Sequence, residues 1–195
     1  MDDRWAEIPI AEIGRVVTGK TPSTKSPELY GDKYPFITPT DIFEEYDVAT
    51  PTRFLSALGF ELQKTLLLPR NTVCFTCIAS IGKMCLTVEP SFTNQQINSV
   101  IVDESRHDYR FVFHALRIAR DRIRGLAGGA ATPIINKSDF SQIRLPIPPL
   151  EIQREVVRSM EPYDLLIENL RRRNDVLRRT RELLLSKFML DGGSQ

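Results

Sequence analysis

Hydrophobic positions fall in short runs over roughly the first three-quarters of the chain, then switch to a seven-residue rhythm. Ile8 to Val17 predicts a short element entering a strand. Residues 18–35, with prolines at 22, 27 and 35, read as a long irregular loop. Phe36-Ile37-Thr38 predicts a short strand running into Pro39-Thr40-Asp41, where Thr40 or Asp41 suits a helical cap. Leu66 to Leu68 closes on a Pro69-Arg70-Asn71 turn. Thr72 to Ile81 is the clearest strand, and Gly82-Lys83 turns it into a second one, Met84 to Val88. Val112, Leu116, Ala119 and Ile123 share one face of a helix over Phe111–Arg124, which Gly125, Gly128 and Gly129 should stop.

The texture changes at Leu145. Leu-Pro-Ile-Pro-Pro-Leu is a rigid extended connector. From Leu150 to Leu190 the sequence favours helix, and Pro162, at a tolerated first-turn position, is expected to start a second helix there. Tyr163, Leu170, Leu177 and Leu184 recur every seven residues, as do Ile167, Asn174, Arg181 and Phe188 four positions later. Together they make an a/d seam for pairing with another helix, and the polar Asn174 and Arg181 would fix its register. The expected architecture is an α+β (mixed α/β) domain over residues 1–147, followed by a long helical, coiled-coil-forming region over 148–195. No internal repeat is present.

Composition changes this picture little. The chain has 195 residues, 42% hydrophobic and 26% charged, with a net charge of +1. No apolar run approaches a membrane span and the first residues do not form a signal peptide, so a cytoplasmic location with no membrane partner is expected. Charge is unevenly spread. Residues 1–50 hold five Lys/Arg against ten Asp/Glu, whereas 106–144 hold eight basic residues against three acidic ones. Such a surplus suits a phosphate-bearing partner, or a solvated helix face.

Candidate chemistry is sparse. Gly14 to Thr21, GRVVTGKT, fits the phosphate-loop pattern G-x-x-x-x-G-K-[ST]. That motif needs a helix starting at its Gly-Lys-Thr, and Pro22 and Pro27 oppose one. Nucleotide binding there is therefore the alternative reading. Cys74 and Cys77 form a C-x-x-C without a second pair, in a segment that reads as a strand, so they are expected to be reduced and packed as small hydrophobes. The carboxylates of Asp41 to Asp47 read as a solvated acidic loop. With two histidines and no nucleophile, metalloprotease or dinucleotide motif, neither catalysis nor a metal or cofactor is expected.

Five segments together resemble the DNA-specificity subunits of type I restriction-modification systems. They are TGKTPS (18–23), YPFITPTDI (34–42), LLPRNTVCFTCIASIGKM (67–84), SFTNQQINSVI (91–101) and TPIINKSDFSQIRLPIPPLEIQREVV (132–157). The resemblance implies a target recognition domain followed by a spacer helix on which methyltransferase subunits dock, with a separate restriction (motor) subunit joining the complex. Such a subunit usually carries two of each element and no active site of its own. This chain carries one of each, so it looks like a half-subunit, and two copies paired along the seam would restore the full set. The partners implied are double-stranded DNA, the methyltransferase and restriction subunits, and a second copy of the chain. The competing class is a protein-interaction module with a coiled coil.

DNA contact requires donors for phosphates and donor–acceptor pairs for base edges. Lys20, Thr21, Ser23 and Lys25 lie on the proline-held loop, and Lys83 at a hairpin tip. Asn94, Gln95 and Gln96 supply amides suited to adenine. Arg106, Arg110 and Arg117 lead the basic run.

Overall fold

The computed structural model describes residues 5–43, 47–127 and 133–191, the side chains of 190 and 191 excepted. In chain order it runs β1 (Ala6–Pro9), α1 (Ile10–Ile13), β2 (Gly14–Thr18), β3 (Tyr30–Gly31), β4 (Tyr34–Ile37), β5 (Phe54–Leu55) and α2 (Ala57–Gln63). There follow β6 (Val73–Thr76), β7 (Met84–Leu86), β8 (Phe92–Thr93), β9 (Ile97–Val102), α3 (Tyr109–Leu126), α4 (Lys137–Gln142), β10 (Arg144–Ile147) and α5 (Leu150–Asp191). By compactness the chain divides into residues 1–154 and 155–195. The architecture is mixed α/β with a long C-terminal helix, as expected.

Three sheets build the first unit. β2, β9, β6 and β7 form an antiparallel sheet of four strands in that order; a second has the order β3-β5-β4-β8, and β1 pairs with β10. β4 and β8 run parallel, with Phe36 beside Phe92. Strands buried on both faces read as continuous apolar runs, and Val73 to Thr76 is buried throughout. Val17, Ile37, Ile42, Leu68, Cys74, Cys85 and Ile97 make one core cluster, drawn from both four-stranded sheets and the chain beside them. Phe36, Leu55 and Phe92 make another, capped by Tyr34 and Phe60 with ring centroids 4.7 Å apart. α3 buries Val112, Leu116, Ala119 and Ile123, the face that its periodicity marked, and Phe111, Phe113 and Ala115 as well.

Several boundaries depart from the sequence expectation. The Thr72–Ile81 strand is β6 alone. Beyond Thr76 the Cys77 amide still donates to the Gln96 carbonyl (2.7 Å), but Ala79 at φ 60° and Gly82 at φ 93° turn the chain out of the sheet. The hairpin partner stops at Leu86. The loop 18–35 contains a 3-10 turn, Pro27–Leu29, and β3. Thr38, rather than Thr40 or Asp41, caps the Pro39–Asp41 turn in a capping box closed by Asp41. That carboxylate is 2% exposed and accepts from Thr38 N–H (2.8 Å), Thr38 Oγ1 (2.7 Å) and Thr52 Oγ1 (3.0 Å). Asp41 is thus a buried hub and not part of a solvated loop; Glu44 and Glu45 lie outside the described residues. Gly125 continues α3 instead of stopping it, and Ala127 is its C-cap. Gly128 and Gly129 lie outside the described residues.

Pro162 also corrects its expectation. It sits inside α5, which is continuous from Leu150 to Asp191. A proline there removes one intrahelical hydrogen bond. The position is exposed, so water can take the orphaned carbonyl, and the helix-favouring residues on both sides outweigh the preference for a first turn.

Candidate functional site

β2 pairs along its whole length with β9, Gly14 opposite Val102 and Thr18 opposite Asn98. The chain leaves the sheet at Gly19, yet stays tied to it. The Gly19 amide donates to Ile97 O (3.3 Å) and the Lys20 amide to Thr93 O (3.0 Å). A Cβ on Gly19 would lie 2.1 Å from that Thr93 oxygen and 2.3 Å from Thr93 Oγ1, so the glycine is there for close approach between backbones. No helix opens at Lys20-Thr21. The chain runs irregularly to the Pro27–Leu29 turn, so the phosphate-loop alternative is overturned for want of the N-terminal amides that would cradle phosphate.

The facing turn belongs to residues 93–96. The Asn94 amide donates to Ile37 O (3.1 Å), its Oδ1 accepts from the Gln96 amide (3.1 Å), and its Nδ2 donates to Gln96 Oε1 (2.9 Å). Asn94 is 8% exposed, and both ends of its side chain hold the turn together. Gln96 is half-buried, whereas Gln95 is exposed. Thr21 Oγ1 donates to Gln95 Oε1 at 2.6 Å. That bond uses the acceptor end of the amide and orients the side chain. On the first loop, Tyr30 OH donates to Pro22 O (2.8 Å), and Ser23 Oγ accepts from the Lys25 amide (3.3 Å). Lys20, Ser23 and Lys25 are exposed. Residues far apart in sequence thus form one polar surface of Lys20, Thr21, Ser23, Lys25 and Gln95.

The other candidates sit elsewhere. Lys83 is half-buried, and its ammonium donates to Pro39 O (3.1 Å) and Ile42 O (3.3 Å), tying the hairpin to the capped turn. Arg117 is ion-paired with Asp47 and lies 4.6 Å from the centre of the Phe113 ring. Arg110 Nε donates to Tyr109 OH (3.2 Å). Arg106 is exposed, its amide donating to Asp103 O (3.0 Å). Arg122 donates to Arg144 O (2.6 Å), Arg124 to Ile81 O (2.7 Å) and Arg144 to Glu7 O (2.8 Å). Three of the eight basic residues over 106–144, Arg122, Arg124 and Arg144, therefore serve backbone carbonyls, a use that no charge count reveals.

The C-x-x-C is not a unit. Cys74 faces Cys85 across the β6–β7 ladder, and Cys77 lies beyond the strand. All three cysteines are buried and unbridged. Burial pushes the Cys77 thiol up to about 12, and the Cys74 thiol together with burial pushes Cys85 well above its ordinary range. Neither is a ready nucleophile or metal ligand.

Within residues 155–195 the seam is open. Tyr163, Ile167, Leu170, Leu177, Leu184 and Phe188 are between 43% and 72% exposed, and Asn174 and Arg181 are exposed between them. Arg172 pairs with Glu168 one turn earlier, as i,i+4 spacing allows.

Sequence reasoning misread one residue of structural weight, Asp41, and missed another, Gln153. Buried polar groups betray themselves only through their partners, and those come from remote segments. Among the described residues, no helix is long and apolar enough to cross a membrane.

Comparison with known proteins gives these features a context. The model for the type I restriction modification DNA specificity domain matches residues 2–179. Over 193 residues the chain is 35% identical to the HindI specificity subunit of Haemophilus influenzae, covering 95% of this chain and 41% of that protein. It is 26% identical to the MjaIX specificity subunit of Methanocaldococcus jannaschii over 190 residues, 96% of this chain and 44% of that one. Two crystal structures share the fold. The type I restriction-modification S subunit from M. genitalium gives a TM-score of 0.70 at 19% identity, over 98% of this chain and 48% of its own. The HsdS subunit from Thermoanaerobacter tengcongensis gives 0.64 at 18%, over 88% and 40%. The chain spans less than half the length of each of these relatives. With a family model over most of its length and a 35% identical relative, this chain belongs to the type I restriction modification DNA specificity domain family.

Proposed function

We propose that this chain is a sequence-specific DNA-binding specificity subunit that contributes recognition and no catalysis. It directs methyltransferase and restriction subunits to a split target in the cytoplasm. Residues 1–147 act as the target recognition domain, and 148–195 as the helical region for pairing and methyltransferase docking. Two copies joined along Tyr163, Ile167, Leu170, Asn174, Leu177, Arg181, Leu184 and Phe188 present two recognition domains, and two-fold symmetry makes the half-sites identical and inverted.

The observation that carries this reading is the docking of the Lys20–Lys25 loop on the Gln95 turn. It gathers two ammonium groups, two hydroxyls and an oriented amide on one exposed surface. Lysines there suit phosphate, and Gln95, held by Thr21, suits a base edge. Lys83, Asn94, Gln96 and Arg117 have the internal partners described above and are better supported as framework. Arg106 and Arg110 are kept as backbone contacts.

The test is binding and methylation by the full chain with its neighbouring methyltransferase. Affinity for duplex DNA should fall steeply with salt, and be much tighter in the complex than for the chain alone. Mapping of methylated bases should return a palindromic split motif. Lys20→Ala should weaken all sequences alike, whereas Gln95→Ala should relax preference at one position of each half-site. Salt-independent association, or no DNA preference gained with the methyltransferase, would instead indicate a protein-interaction module.

A further inference from the structure

Gln95 is exposed, yet its side chain has a set orientation: Oε1 accepts from Thr21 Oγ1 at 2.6 Å. That separation is too short for an ordinary N–H···O bond and suits O–H···O, so the oxygen of the amide faces Thr21. Both residues are fixed on each side. Thr21 lies between the Lys20 amide, which donates to Thr93 O (3.0 Å), and Pro22, whose carbonyl accepts from Tyr30 OH (2.8 Å). Gln95 lies between Asn94 and Gln96, whose side chains bond each other at 2.9 Å. The Asn94 amide is tied to Ile37 O (3.1 Å), and Gln96 O accepts from the Cys77 amide (2.7 Å). An exposed glutamine ordinarily loses rotamer freedom when it meets a ligand, and here part of that cost is met beforehand. What the held amide turns away from Thr21 is Nε2, with its two N–H donors.

Adenine pairs with an amide through both ends, Oε1 accepting from N6 and Nε2 donating to N7. Guanine presents O6 and N7, two acceptors side by side, and asks for donors alone. With its oxygen bonded to Thr21, Gln95 meets that demand. Against adenine the same orientation would set donor beside donor. We propose that Thr21 and Gln95 form one preorganised donor unit that reads guanine in the major groove, Gln95 making the contact and Thr21 positioning it. That role rests on the DNA-reading function proposed for this chain, and names the base that one of its contacts selects. It departs from the adenine pairing that the amide suggests by residue type.

The test uses the full chain with its neighbouring methyltransferase. Mapping of methylated bases gives the native motif, and a randomised duplex library gives the base preference of native and variant complexes at each position. Gln95→Ala should relax one position of each half-site, and that position should be a G·C pair. A duplex with 7-deazaguanine there lacks the N7 acceptor, and the native complex should bind it roughly tenfold more weakly, the scale of one lost base contact. The Gln95→Ala complex should bind both duplexes alike. Thr21→Val removes the hydroxyl and leaves the amide to turn either end outward, so preference for guanine over adenine should fall at that position alone. Thr21→Ser keeps the hydroxyl and should keep the preference. Gln95 is exposed, so its alanine variant and the deazaguanine duplex still decide the base if Thr21→Val does not fold. An A·T pair at the Gln95-dependent position, no such position, or equal native binding of the two duplexes would overturn the proposal. Unchanged guanine preference in a folded Thr21→Val complex would overturn the part given to Thr21. A native complex without sequence preference marks a different failure, that of the DNA reading itself, seen before any variant is compared.

Discussion

Truncating the seam tests the pairing on which the half-subunit reading depends. Leu177 is 65% exposed and Leu184 51%, so much of each side chain remains to be buried by a partner. Full burial of a leucine contributes roughly 1.5–3 kcal/mol. With half to two-thirds still available, truncation of both to alanine should remove about 2–3 kcal/mol per protomer. A two-fold dimer holds each position twice, so the loss is about 4–6 kcal/mol per dimer. At about 1.4 kcal/mol per tenfold, the dissociation constant should rise by about 10³–10⁴. Sedimentation equilibrium over a concentration series reads this directly. Leu165→Ala with Leu183→Ala is the control. These leucines are 61% and 70% exposed, and helical spacing puts them on the opposite side of α5. A native chain that stays monomeric at micromolar concentration refutes the pairing. So does a Leu177/Leu184 variant that dimerises as well as the control.

Other consequences follow from single contacts. Gly19→Ala sets a methyl 2.1 Å from the Thr93 carbonyl oxygen, and should destabilise the chain by roughly 1–3 kcal/mol, read as a lower urea midpoint with an unchanged slope. The His107 pKa is depressed, first by burial and then by Arg106, with Asp103 and the Glu12 backbone opposing. The unfolded chain then binds the proton more readily, so stability is fully present above the ordinary pKa of about 6.5 and falls as pH drops through it. Urea midpoints measured across that range should show the decline, and His107→Leu should flatten it. Because all three thiols are buried, they should react with a disulfide reagent only at the rate of unfolding; rapid labelling of any one in the native chain would contradict its packing.

The sequence by itself determined the class of fold, the α3 face and the helical character of residues 150–190, because periodicity and helix propensity are local properties that each helix carries along its own length. It also weighed against the phosphate loop, since Pro22 acts on its immediate neighbours, but the absence of a helix at Lys20-Thr21 is what overturned it. The five family segments identified the kind of protein. Only the tertiary structure decided what the polar residues do. Asn94, Gln95 and Gln96 are adjacent and alike in chemistry, yet the first holds a turn while the second stands exposed beside Thr21, 74 residues away. Lys83 spends its donors on carbonyls more than forty residues distant. Strand ends at Thr76 and Leu86 were likewise beyond local reading, because they depend on where partner strands stop. A hydrogen bond belongs to two residues, and the chain's order records only one of them at a time.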